Sequence, residues 1–188
     1  NTNVTTSGTQ TYTGAVTLVN SITIASTGAS SAGNNISFSS SINGTTANTQ
    51  SLTLNSGTGG TITVSGQTGT STSLSTLTLT NSNGATFTGA VTTGTSVVIT
   101  STSNGATILF SGALTTPTLT TAAQGYNLQL LGTSGTITNN VTFTNTGSLS
   151  LGTSGGTQTY SAGLTASAPS SVTLAGTIIL GASATFGD

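Results

Sequence analysis

Tyr12-Thr13-Gly14-Ala15-Val16 returns as Phe87-Thr88-Gly89-Ala90-Val91, as Phe110-Ser111-Gly112-Ala113-Leu114 and, more loosely, as Tyr160-Ser161-Ala162-Gly163-Leu164. The intervals between the aromatic residues are 75, 23 and 50 positions. These are near-multiples of one unit of about 25 residues, within the range of solenoid repeats. Stepping at that interval reaches Phe38 in Ser37-Phe38-Ser39, Val64 in Thr63-Val64-Ser65 and Phe186 in Thr185-Phe186-Gly187. The spacing therefore predicts an inward column of Tyr12, Phe38, Val64, Phe87, Phe110, Tyr160 and Phe186. Between Phe110 and Tyr160 its register stays open, because Ile137 and Phe143 both sit between threonines.

A second set of short segments accompanies the first: Ile22-Thr23-Ile24, Leu52-Thr53-Leu54, Leu77-Thr78-Leu79, Val97-Val98-Ile99, Leu149-Ser150-Leu151 and Val172-Thr173-Leu174. Alternation of apolar and mostly polar residues marks strands with one buried face. Asn-Gly pairs at 43–44, 83–84 and 104–105 punctuate them, offering left-handed backbone at low steric cost. No apolar spacing of i, i+3, i+4, i+7 competes for a helix. Two all-β architectures use such strands. A sandwich packs about seven to nine in ~100 residues with hairpin turns. A solenoid coils each unit into one rung and stacks like on like, which favours aromatic, aliphatic, Thr, Ser and Asn ladders and disfavours charge. The composition selects the solenoid, as one elongated unit over 1–188, with a β-sandwich of the pilus-subunit kind as the alternative.

Charge excludes most chemistry. Among 188 residues the only acidic side chain is Asp188, and there is no Lys, Arg or His. A typical soluble domain is roughly 25% charged. General acid–base catalysis, carboxylate metal sites, phosphate clamps and basic nucleic-acid grooves all need residue types that are missing. Serine and threonine abound, but no His or Lys is present to activate a hydroxyl. The paired carboxylates of glycoside hydrolysis cannot be assembled either. The expectation is a protein that is not an enzyme, uses no cofactor or metal, and binds no nucleic acid. No stretch approaches the ~20 apolar residues of a membrane helix, so no membrane insertion is expected. With no Cys, disulfide stapling is unavailable. Met is absent too, even at position 1, so a processed product or an excerpt of a longer chain is expected.

The phrases Gly8-Thr9-Gln10-Thr11-Tyr12-Thr13-Gly14-Ala15-Val16-Thr17-Leu18, Gly84-Ala85-Thr86-Phe87-Thr88-Gly89-Ala90-Val91 and Ser148-Leu149-Ser150-Leu151-Gly152 carry a family likeness. They resemble the β-strand repeats of long bacterial surface proteins, the filamentous-haemagglutinin-like adhesins and autotransporter passengers. That resemblance spans nearly the whole chain but rests on low-complexity phrases. It implies a right-handed parallel β-helix, export to the cell surface, and adhesion, biofilm matrix or filament duty. No catalytic or ligand residue comes with it.

Three further features draw attention. Tyr126, in Gly125-Tyr126-Asn127, falls outside the repeat and is expected to be the exposed aromatic, as a loop anchor or a glycan contact. Thr-x-Thr triplets such as 76–78, 86–88 and 136–138 resemble the outward Thr rows of ice-binding proteins, although coils of varying length are expected to spoil a flat lattice. Four triplets, beginning at Asn3, Asn35, Asn43 and Asn140, fit the N-glycosylation pattern.

Solenoid ends are open strand edges, which proteins blunt with Lys, Pro, bulges or a covering element. Here there is no Lys, and the only prolines are Pro117 and Pro169. The end residues Val4, Thr185, Phe186 and Gly187 are accordingly the expected contacts for a partner. That partner is another copy stacked head to tail or covalently adjacent repeats, in an extracellular filament or an adhesin stalk.

Overall fold

The computed structural model describes residues 3–187 and contains strands but no helix among them. After β1 (Val4–Thr5), the chain cycles through three faces per coil, with two or three strands in each. The first coils are β2 (Gln10–Tyr12), β3 (Val16–Leu18), β4 (Ile22–Ala25); β5 (Ile36–Phe38), β6 (Ile42–Gly44), β7 (Leu52–Asn55); and β8 (Ile62–Val64) leading to β9 (Leu74–Asn81). Next come β10 (Ala85–Phe87) with the long β11 (Val91–Ile99), and then β12 (Thr107–Phe110), β13 (Leu114–Thr116), β14 (Thr118–Thr120). Three coils finish the molecule: β15 (Asn127–Leu130), β16 (Gly135–Ile137), β17 (Val141–Thr142); β18 (Ser148–Leu151), β19 (Thr157–Tyr160), β20 (Leu164–Ala166); and β21 (Ser171–Leu174), β22 (Thr177–Leu180), β23 (Ala184–Phe186).

Every pairing between strands is parallel, and each joins a strand to its counterpart one coil away. The result is a β-solenoid of about eight turns of about 23 residues; no antiparallel sandwich forms. Face one is the eight-stranded sheet β2-β5-β8-β10-β12-β15-β18-β21. Face two runs from β3 and β6 through an isolated bridge at Thr68 to the start of β11, then to β13, β16, β19 and β22. Face three runs β1, β4, β7, β9, the end of β11 and β14, followed by β17, β20 and β23. β11 belongs to two faces because no loop separates them in that coil: Val91 pairs with Leu114, while Val97 pairs with both Leu77 and Leu119.

Period-two alternation explains the cross-section, since each strand turns its apolar residues into one shared interior. Leu52, Leu54, Leu77, Leu79, Ile36, Phe38, Ile62, Val64 and Phe87 are all buried there. Fully burying such a side chain contributes about 1.5–3 kcal/mol, and here every coil repeats that contribution against the coil below.

Two backbone devices hold the coils. At the corner between faces one and two, Gly66, Gly89, Gly112 and Gly132 stack in sequence. A Cβ on Gly89 would meet the Gly66 carbonyl oxygen at 2.4 Å, and one on Gly112 would meet the Gly89 carbonyl carbon and oxygen at 2.4 Å. None of these glycines has a positive φ, so closeness of backbone, and not handedness, demands glycine there. The second device uses asparagine. Asn3 Oδ1 accepts from Thr23 N, Asn35 Oδ1 from Thr61 N, Asn104 Oδ1 from Gly125 N and Asn127 Oδ1 from Ser148 N, each one coil on. Asn43 Oδ1 accepts from Ser71 and Thr72, and Asn140 donates to the Ala162 carbonyl. All four asparagines of the glycosylation triplets are thus clips between coils, each bonding backbone 20 to 29 residues further along the chain.

The Asn-Gly pairs divide. Gly84 and Gly105 take φ of 103° and 78°, as turn glycines do, whereas Gly44 ends β6 without a left-handed backbone.

Candidate functional site

The predicted column is present over five coils, with four aromatic members and Val64, and then changes composition. Tyr12, Phe38, Val64, Phe87 and Phe110 are register partners in order, followed by Leu130, Leu151 and Leu174. Tyr12 stacks on Phe38 at 4.6 Å between ring centroids, and Phe87 on Phe110 at 4.9 Å, with planes within 8° and 7° of parallel. Steps along the column shorten from 26 residues, between Tyr12 and Phe38, to 20 between Phe110 and Leu130. A fixed step of 25 therefore overshoots after Phe110.

Tyr160 and Phe186 do not belong to this column. Tyr160 lies on face two, paired with Ile137 and Leu180, and meets Phe143 edge to face at 6.4 Å across the interior. Phe186 lies on face three, paired with Ala166, and is 39% exposed in the last coil. Leu149-Ser150-Leu151 and Val172-Thr173-Leu174, grouped by sequence with the second strand set, supply the upper part of face one.

Tyr126 is also corrected. It is fully buried, and its hydroxyl accepts from Ala122 N at 3.2 Å, so it closes a corner from within and offers nothing to a glycan.

The interior contains two copies of one polar unit. In Gln10-Thr11-Tyr12 the tyrosine hydroxyl donates to Gln10 Oε1 at 2.6 Å, and Gln10 Nε2 donates to the Ala25 carbonyl at 2.7 Å. In Gln158-Thr159-Tyr160 the corresponding bonds are 2.9 Å to Gln158 Oε1 and 2.6 Å to the Leu130 carbonyl. Identical residues build the identical unit on different faces. Satisfied in this way, a buried amide and phenol avoid the desolvation cost of unpaired polar groups.

Burial raises all three tyrosines above the ordinary value of 10.0, and Tyr126 is pushed up to about 12 against weaker lowering by its Ala122 and Thr121 bonds. The folded chain thus holds its phenol protons longer than the unfolded chain, and the stability this represents is intact below pH 10 and lost as pH rises toward about 12. Denaturant midpoints are expected to stay level from about pH 5 to about pH 9, with little effect of salt, and to fall beyond about pH 10. A slope between about pH 5 and about pH 8 would contradict this account.

At the last coil the inward columns surface. Leu174 on face one is 49% exposed, Leu180 on face two 37% and Phe186 on face three 39%. At the opposite end Val4 is 37% exposed, and an open groove of about 250 Å³ lies beside Val16, Leu18, Val19 and Ile22. Thr185 is exposed, whereas Gly187 N donates to the Ala166 carbonyl at 3.0 Å and is already engaged within the molecule. Sequence stepping located Phe186 at this end but missed Leu174 and Leu180. The alternation around Leu174 was visible but its level in the stack was not, and Leu180 lies in Ile178-Ile179-Leu180, an apolar run without alternation.

These features define a class, the parallel β-solenoids, with uncharged columns and no cluster of three or more metal-ligating side chains among the described residues. Comparison with protein-family models, with curated proteins and with solved structures finds no match to this chain.

Proposed function

We propose that this chain is a structural, non-catalytic unit of an extracellular filament at the cell surface, built by stacking β-solenoids end to end. One observation carries the proposal: the columns of all three faces, ending in Leu174, Leu180 and Phe186, present exposed apolar side chains in the arrangement that each coil offers the next. A further coil laid on them would continue three ladders at once. At the opposite end the outermost apolar members are Tyr12 on face one, Val16 on face two and, on face three, Val4, which pairs with Ile24. A head-to-tail contact that does not close propagates as a fibre. Near-zero charge leaves little repulsion to oppose it. The likeness to bacterial surface repeats supports the extracellular placement and the second reading, a stalk whose next coil is covalently attached.

The variant L180K/T185K sets two charges at the exposed end without touching the engaged Gly187. Electron microscopy at matched concentration should show fibres for the wild type and few or none for the variant, with equal β content by circular dichroism. Fibres of unchanged length in the variant would exclude this end as the contact. A wild type that stays monomeric at every concentration would select the stalk.

A further inference from the structure

Face three carries a feature that end-to-end stacking does not use. Its outward positions form two parallel columns. One runs Thr23, Thr53, Thr78, Val98 and Thr120; the other, two residues earlier, runs Thr76, Ser96 and Thr118; Thr142 and Thr165 form a separate outward pair on β17 and β20. Successive members touch, as in the 3.2 Å bond between the Thr76 and Ser96 hydroxyls.

Coil length does not disturb this grid. From Thr23 to Thr53 the chain spends 30 residues, from Thr53 to Thr78 25, and from Thr78 to Val98 20, yet each step is one strand pairing. Variation goes into the loops, such as 26–35 and 45–51, and leaves the pairing unbroken from β1 through β4, β7, β9 and β11 to β14. Unequal coils therefore keep their strand register along this part of the face.

We propose that face three binds the ordered water lattice of an ice surface. Parallel strands repeat at about 4.8 Å, and alternate residues along a strand at about 6.7 Å. Water oxygens joined by O–H···O bonds of about 2.75 Å in a tetrahedral hexagonal network repeat at about 4.5 Å in one direction and about 7.3 Å in the other. Both protein repeats fall within about a tenth of these over a patch of a few coils. Threonine suits the task because its β-branched side chain is stiff, so the hydroxyls are held in place before binding. Stacked side-chain ladders also keep such a sheet flat. The face bears no charge, which fits a neutral hydrogen-bonding partner. Face one does not qualify: its outward column includes Leu109 and Gln129.

The test is incorporation of the whole chain into a slowly growing ice front, together with the freezing-point gap in a nanolitre osmometer. Wild type should enter the ice. T78K, on face three, should lower incorporation by more than about tenfold, since the ammonium displaces lattice waters it cannot replace. T86K, outward on face one, should match the wild type. Should T78K fail to fold by circular dichroism, T120K on the same column serves in its place. Wild type excluded from ice like an inert protein, or equal losses in T78K and T86K, would overturn the proposal. Retention on insoluble neutral polysaccharide that T78K abolishes, with no entry into ice, would assign the face to a glycan instead.

Discussion

Phe87→Ala is expected to cost about 3–5 kcal/mol in a denaturant titration of the isolated chain, while Thr88→Ala stays within about 0.5. Phe87 is 1% exposed and lies between Val64 and Phe110, stacking its ring on the latter. Truncation removes the buried ring and leaves a void that neighbouring coils cannot fill, because their own ladders fix their height. Thr88 is exposed at the corner and its backbone N–H, which bonds the Val64 carbonyl, survives the substitution. Near-equal effects would mean that the assignment of inward and outward positions is wrong.

Adding a single methyl group should be almost as damaging at Gly89. The Cβ of Gly89→Ala would sit 2.4 Å from the Gly66 carbonyl oxygen and 2.6 Å from Gln67 N, both backbone atoms that cannot swing aside. Relief requires the two coils to part, breaking ladder bonds around Thr68 and Val91. A loss of about 3 kcal/mol is expected, at the upper end of ordinary overpacking. Gly14 provides the control, since it occupies the same place in the matching phrase, Thr-Gly-Ala-Val after an aromatic residue, yet a Cβ there meets nothing within 4 Å. Gly14→Ala should change stability by less than about 0.5 kcal/mol. If both alanines proved harmless by thermal melting, the glycine stack would be a relic of composition and not a packing requirement.

The contrast between Gly14 and Gly89 shows where sequence reasoning stops. Repeated phrases identify the corner, but only the presence of a coil beneath decides whether a side chain fits. Tyr12 and Tyr160 make the same point, for each ends a Thr-Gln-Thr-Tyr run and forms the same Gln–Tyr bond, yet they stand on faces one and two. Tyr126 was misjudged because its flanks, Gly125 and Asn127, read as an exposed loop, while the fold turns the ring inward at a corner.

By itself the sequence determined that the chain is all-β, coiled in units near 25 residues, free of charged side chains but for Asp188, and apolar on one side of each strand. Those properties are local: alternation is written along three or four residues, and composition needs no register. Tertiary structure alone decided which face each strand joins, that coils average about 23 residues, and that Leu130, Leu151 and Leu174 complete the column begun by Tyr12. The reason is cumulative. A strand's place in the stack depends on the length of every connection before it, and these range from the single residue 117 to 26–35. Only hydrogen bonding from coil to coil resets the count at each turn.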